Sequence, residues 1–307
     1  MRQTRSYLLA LASTLAFATT GPLIKYILLN TALLPISLAF WRAAFLALFM
    51  LLALRALRPK WLSLTRRDVP FYVAYGSIGV ALSQSFWIYS VSLNGAALAT
   101  ALFYVSPAFV ALFSRLLFGE PITRTKQVAL VLTLAGVALI SQAYDLAQFR
   151  LGWFGVLVGI ASGLVYSTYT LFSKEAGQRH HPWVAMAYAF AFGTLFLGLA
   201  QGRGDVLALS SAWQGWIAVL FLALGPTLGG YSLYTLSLRD LPAGIASLIL
   251  PLELVFAAII AFLAFGETWH PLQVVGAALI ILSILLLQPN LRRRPATIRA
   301  SGEEGIA

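Results

Sequence analysis

Leu117-Phe118-Gly119-Glu120 closes one long apolar run, and Ala264-Phe265-Gly266-Glu267 closes another. The echo extends outward in both directions at a spacing of about 147 residues, the signature of an internal duplication. Ala12-Ser13, Phe17 and Lys25 are answered by Ala161-Ser162, Tyr166 and Lys174. Phe86, Tyr89, Ser92 and Leu93 are answered by Tyr231, Tyr234, Ser237 and Leu238. Gln127-Val128 and Gln142 return as Gln273-Val274 and Gln288. Each match alone is weak. Their common order makes them strong.

Composition assigns the class. Apolar residues are 60% of the 307 and charged residues 10%, too few to cover the surface of a soluble domain. Cysteine is absent, which excludes disulfides, thiol chemistry and Cys-based metal sites. The net charge of +11 sits mostly in short loops between apolar runs. That is membrane topology, and no nucleic-acid partner is expected.

A bilayer core needs about 20 apolar residues per helix, and roughly ten such segments can be drawn. They run over 7–29, 33–54, 70–93, 96–118 and 126–142, then 152–174, 182–200, 213–238, 243–265 and 271–288. The expected fold is an all-α integral membrane protein of ten transmembrane helices arranged as two inverted five-helix repeats. The repeats are placed at 7–145 and 150–289. A short N-terminus, 1–6, and a disordered tail, 290–307, flank them. Inversion follows from the odd number of crossings per copy.

Basic residues set the orientation. Arg55, Arg58, Lys60, Arg66, Arg67, Arg124, Lys174, Arg179 and Arg239 fall at one end, while the opposite loops hold only Arg150 and Arg203. The positive-inside rule then places both termini in the cytoplasm. The protein is expected in a cell membrane, read as a bacterial inner membrane.

Charges within apolar runs are the sharpest chemical signal, since insertion scales charge about 2.5–3.5 kcal/mol for each at a helix centre. Glu253 lies near mid-membrane, where it either titrates as a proton-coupling carboxylate or pairs permanently with Arg42. Arg42 has no duplicate in the second half. Arg42 and Lys25 are candidates for a substrate carboxylate or phosphate, although a lysine near a helix end also snorkels to the interface. Ser83, Gln84, Tyr89, Tyr104, Tyr231 and Tyr234 are chosen as cavity lining, their rings for apolar substrate parts and their polar groups for orientation. Pro22, Pro107, Pro226 and Pro251 mark hinges, because proline removes a backbone donor. Gly155, Gly159 and Gly163 form a small-residue stripe read as helix packing. Glu120 and Glu267 are read as structural, each following a helix-ending glycine and suiting the dipole of the helix that comes next.

Phe40-Trp41-Arg42-Ala43-Ala44, Pro107 placed ahead of Gly119-Glu120, and the Ala-Ser starts of the first and sixth segments resemble the EamA family of the drug/metabolite transporter superfamily. The resemblance covers nearly the whole chain, from about Tyr7 to Gln288. It implies a secondary transporter working by alternating access, an exporter of a small metabolite such as an amino acid. Multidrug and nucleotide- or sugar-derivative transport on the same fold remain alternatives. Where relatives often read Glu-Pro in the second repeat, this chain has Glu253-Leu254 with Pro251 a turn earlier, so the bend is expected to be displaced. No Gly-x4-Gly-Lys-Ser/Thr loop, His-Glu-x2-His or Gly-x-Ser-x-Gly motif occurs, which leaves an intramembrane enzyme unsupported. The expected partners are a small-molecule substrate and the lipid bilayer, with no cofactor and no metal.

Overall fold

Every apolar run forms helix, and no strand occurs among the described residues. The computed structural model describes residues 2–31, 33–144, 152–201, 213–266 and 268–292. We number ten helical stretches in chain order. Helix α1 is Arg2–Ala18 continued by Thr20–Asn30, and α2 is Pro35–Leu57. Helix α3 begins at Val69–Ala74, passes through a π-helical segment, Tyr75–Leu82, and runs on into Ser83–Phe103. Gly95 interrupts that last stretch with φ 74° and ψ 163°, separating α3 from α4, which resumes as Ser106–Phe118. Helix α5 is Arg124–Ile140.

The second half repeats the pattern. Helix α6 is Trp153–Arg179 and α7 is Pro182–Ala200. Helix α8 is Trp213–Leu222, a π-helical segment Ala223–Thr227, then Leu228–Ser237. Helix α9 is Ala243–Ile249 and Leu252–Phe265, and α10 is Pro271–Arg292. Among the described residues, seven stretches are long and apolar enough to cross a membrane, including Pro35–Leu57, Trp153–Arg179 and Ala243–Leu263; Pro271–Leu287 is a shorter apolar helix.

Prolines explain where the helices break. A proline at position i lacks the N–H that would bond carbonyl i−4 and crowds that carbonyl, so regular helix stops there. Pro22, Pro107 and Pro226 each lie four residues after a helix end, at Ala18, Phe103 and Leu222. Pro251 sits in the break between the two pieces of α9, two residues ahead of Glu253, so the bend falls before the Glu-Leu pair rather than at it. Gly119 and Gly266 close α4 and α9 at φ 66° and 67°, left-handed values that cost a residue with a Cβ free energy.

Two pairs of helices at corresponding positions in the two halves, α5 with α10 and α2 with α7, pack antiparallel. In the α5–α10 pair, Gln273 Nε2 donates to the Ile140 carbonyl at 3.2 Å and Thr133 Oγ1 to Ser283 Oγ at 2.9 Å. At their crossing a Cβ on either Gly136 or Gly276 would lie 2.7 Å from the other's carbonyl oxygen, so the backbones touch directly. Helices α2 and α7 are likewise antiparallel: Gln201 reaches the Ile36 carbonyl at one end and Tyr188 the Leu62 carbonyl at the other. Lys60 follows the last turn of α2 while Gln201 meets its first, so the two lie at opposite ends of the bundle.

The glycine stripe of α6 packs as expected. A Cβ on Gly155 would strike Asn94, on Gly159 Leu102, and on Gly163 the Phe103 carbonyl. The sequence reading missed the π segments. A π turn holds an extra residue, and the first one sets Gly76 against the α7 backbone, where a Cβ would lie 2.7 Å from both the Ala189 oxygen and the Gly193 nitrogen.

Candidate functional site

The broken helices of both halves face a common space. A cavity of about 250 Å³ is lined from the first half by Arg42, Ser83, Gln84 and Tyr104, and from the second by Tyr231 and Glu253. All six were singled out from the sequence, and the fold brings them together from α2, α3, α4, α8 and α9. Ser83 and Gln84 follow the π segment of α3 directly, and Tyr231 stands one turn beyond that of α8. The wide turns and proline breaks thus end where the cavity begins.

Aromatic edges hold the wall in place. The Tyr231 ring meets Phe17, Tyr169 and Phe190 edge-on, each at 5.0 Å between centroids. Tyr166 packs on Phe103 at 4.5 Å. From Tyr166, helix α6 continues through buried Tyr169, which contacts Tyr75 at 5.4 Å, and Tyr75 stacks on Phe172. This layer fills the bundle between the cavity and its basic end. The lining residues Ile24, Trp87 and Ala257 run the other way, along α1, α3 and α9.

Arg42 is 9% exposed, and Tyr231 is its nearby electrostatic partner. Glu253 begins the second piece of α9, where the helix dipole favours an acid, and the Tyr104 hydroxyl donates to its carboxylate. The permanent Arg42–Glu253 pair weighed from the sequence does not form. Among the described residues the ion pairs within 4 Å are Lys126–Glu120, Arg179–Glu175 and His180–Asp68. Both charges instead face the same space.

Two chosen lining residues lie elsewhere. Tyr89 is 50% exposed and packs on Phe154, because the α3 face that carries it points away from Trp87 and Gln84. Tyr234 is fully buried below the cavity, 3.0 Å from the Thr170 hydroxyl. The Lys25 side chain and Glu267 lie outside the described residues, as does the tail from 293. Thr20 and Thr227 were missed and line the cavity. A signal existed: each is a threonine within two residues of a helix-breaking proline.

Glu120 does more than its own half requires. It was expected to serve the start of the next helix, α5, but Thr123 caps that helix by accepting from the Lys126 amide at 3.3 Å. The Glu120 carboxylate crosses to the other half, accepting from the Ala243 and Gly244 amides of α9 at 2.7 and 3.2 Å. Lys126 stands 3.8 Å from it. Lys174 Nζ completes the cluster by donating to the Leu238 and Leu241 carbonyls beyond α8, at 2.7 and 2.6 Å. These contacts close the basic end beneath the aromatic layer.

Loops at that end are tied too. The Thr65 hydroxyl donates to Asp68 at 2.5 Å, and this bond chiefly holds the Asp68 carboxyl below the usual carboxylate range. Burial, helped by the Arg239 charge, lowers the pKa of His181, whose ring stacks on Trp61 at 4.3 Å. Its Nδ1 accepts from the Trp183 amide, capping α7. No group of three or more His, Cys, Asp or Glu side chains converges as a metal site among the described residues.

Apolar helices around a polar, partly charged interior define a multi-span membrane protein with an internal cavity. The chain belongs to the EamA-like transporter family, whose profile matches residues 4–142 and 153–288. A pseudopaline exporter of Pseudomonas aeruginosa is 26% identical over 283 residues, covering 91% of this chain and 94% of that protein. A protein of Streptantibioticus cattleyicolor named as a probable terminal-alkyne amino-acid exporter is 26% identical over 75% of this chain and 77% of its own. An uncharacterised transporter of Archaeoglobus fulgidus is 28% identical over 67% and 72%. One crystal structure superimposes with a TM-score of 0.79 at 19% identity, covering 94% of this chain and 98% of that chain. Family and relatives point to transport rather than catalysis.

Proposed function

We propose that this protein is a secondary transporter that exports a small amphipathic metabolite, of the amino-acid kind, by alternating access. The observation that carries the reading is the cavity between the two halves, with Arg42 and Glu253 exposed to one space and breaks in the helices that enclose it. Its volume, about 250 Å³, falls below the ~300–1,000 Å³ common for drug-sized ligands. Aromatic walls suit an apolar side chain. The opposed charges suit a zwitterion. The names of the pseudopaline and amino-acid exporters agree with such a substrate.

The same reading takes the halves as inverted repeats with ten crossings and both termini cytoplasmic. Its support is the antiparallel packing of α5 on α10 and α2 on α7, and the location of Lys60 and Gln201 at opposite ends of α2. The basic end is then the cytoplasmic end, sealed by the Glu120 and Lys174 contacts while the cavity lining extends outward. Glu253 is the residue assigned to proton coupling.

Counterflow into proteoliposomes tests the function. Protein loaded with an unlabelled amino acid mixture accumulates labelled amino acid, and Arg42→Ala lowers that accumulation at least tenfold, as expected when an anion's charged partner is lost. Vesicles that exchange no solute across an amino acid, nucleoside, sugar and drug panel would refute transport. Tags at Lys60 and Gln201 reached from the same side would refute the inversion.

A further inference from the structure

The cavity is short of acceptors on one side. Arg42 presents five N–H donors, and among the described residues no carboxylate lies within 4 Å of them, Tyr231 being the nearby electrostatic partner. The Thr227 hydroxyl is buried, with the residue 1% exposed, and it has no protein partner. The Thr20 hydroxyl oxygen is buried in the same way and lines the same cavity. Buried hydroxyls normally find a partner, often their own helix carbonyl, as Ser83, Ser162 and Ser237 do here.

Thr227 is placed where that escape is altered. It is the last residue of the π segment of α8, four positions before Tyr231, and that segment packs against α2, the helix carrying Arg42. The acid across the cavity is in a different position, because Glu253 already receives the Tyr104 hydroxyl. One wall therefore offers a guanidinium without a carboxylate partner, and the other an acid already held by one hydrogen bond.

We infer that Thr227, together with Arg42, forms an anion subsite that binds the substrate's carboxylate, with the Thr20 hydroxyl at its rim. This rests on the transporter reading and adds to it: a negative head group is required, whereas an amine is not. Threonine serves by its hydroxyl alone, so valine of the same shape removes the function and keeps the packing.

Titration calorimetry on the purified full-length protein tests this with three probes sharing one ring: L-phenylalanine, 3-phenylpropanoate and phenethylamine. The parent protein binds both carboxylates. Thr227→Val weakens both about tenfold, roughly the loss of one hydrogen bond to a charged group, and Thr227→Ser restores them to within about twofold. Any binding of phenethylamine is the same in all three proteins. Unaltered carboxylate binding in Thr227→Val overturns the subsite, as does an equal loss for the amine. A parent that ignores both carboxylates at tens of millimolar overturns it too. In that last case, counterflow of other solutes leaves the transporter reading standing, and absence of all counterflow removes that reading separately.

Discussion

Glu120→Ala should open the basic end of the bundle. In the structure this carboxylate accepts two backbone bonds from the other half, at 2.7 and 3.2 Å, with Lys126 3.8 Å away. Hydrogen bonds to a charged group contribute about 1.5–3 kcal/mol each, and the longer one belongs at or below the low end. Lys126, at 3.8 Å, lies beyond hydrogen-bond distance and is left out of this sum. A total near 3 kcal/mol acts on the closed state alone if the contact breaks on opening, shifting the equilibrium roughly a hundredfold. The chain contains no cysteine, so a single Ser114→Cys, buried beside Gly244, reports on that end cleanly. An impermeant maleimide reaching the basic end should label it about a hundred times faster once Glu120 is removed. Glu120→Gln, which keeps an acceptor and loses the charge, should fall between. Labelling unchanged from the parent while the melting temperature drops would show that Glu120 is fixed glue, and the gating argument would fail.

Three further expectations concern coupling, packing and pH. Glu253→Gln should flatten the dependence of exchange on the proton gradient, and a pH profile matching the parent's removes this acid from coupling. Gly76→Ala should destabilise by about 1–3 kcal/mol, because its Cβ would meet the Phe192 Cβ and the Ala189 and Gly193 backbone of α7, none of them the mobile end of a side chain, whereas Gly21→Ala meets nothing within 4 Å; melting temperatures separate the two. Asp68 has a depressed pKa, so its contribution is present above the ordinary aspartate value near ~3.9 and is lost as pH falls through the lower folded value. Thr65→Ala should narrow that window from below, seen as acid melting that begins at higher pH.

Much of this fold could be read without coordinates, for a physical reason. In a bilayer each crossing must satisfy its own backbone, so apolar length reports helices almost directly. The stretch 182–200 agrees with Pro182–Ala200 to the residue, and the breaks fall where proline chemistry puts them. Burial of charge likewise singled out Arg42 and Glu253. What escaped was phase. Tyr89 and Tyr234 look equivalent to their cavity-facing neighbours in a list of polar aromatics, yet the side each takes depends on turns whose width no residue type dictates. Glu120 escaped for a different reason: its partners are 123 and 124 positions away, and an acid beside a helix start gives no hint that it serves a distant one.

The two π segments end at Leu82 and Thr227, and the helix beyond each begins afresh with a rotated set of faces. Every residue accommodated by a widened turn swings the downstream side chains by about 100° relative to a regular helix. Deleting one residue between 75 and 82 would therefore leave the membrane span nearly as long but turn Gln84 and Trp87 toward a neighbouring helix. Insertions and deletions here act as dials on what the interior displays, so homologues with different cargo need not differ at the lining positions at all.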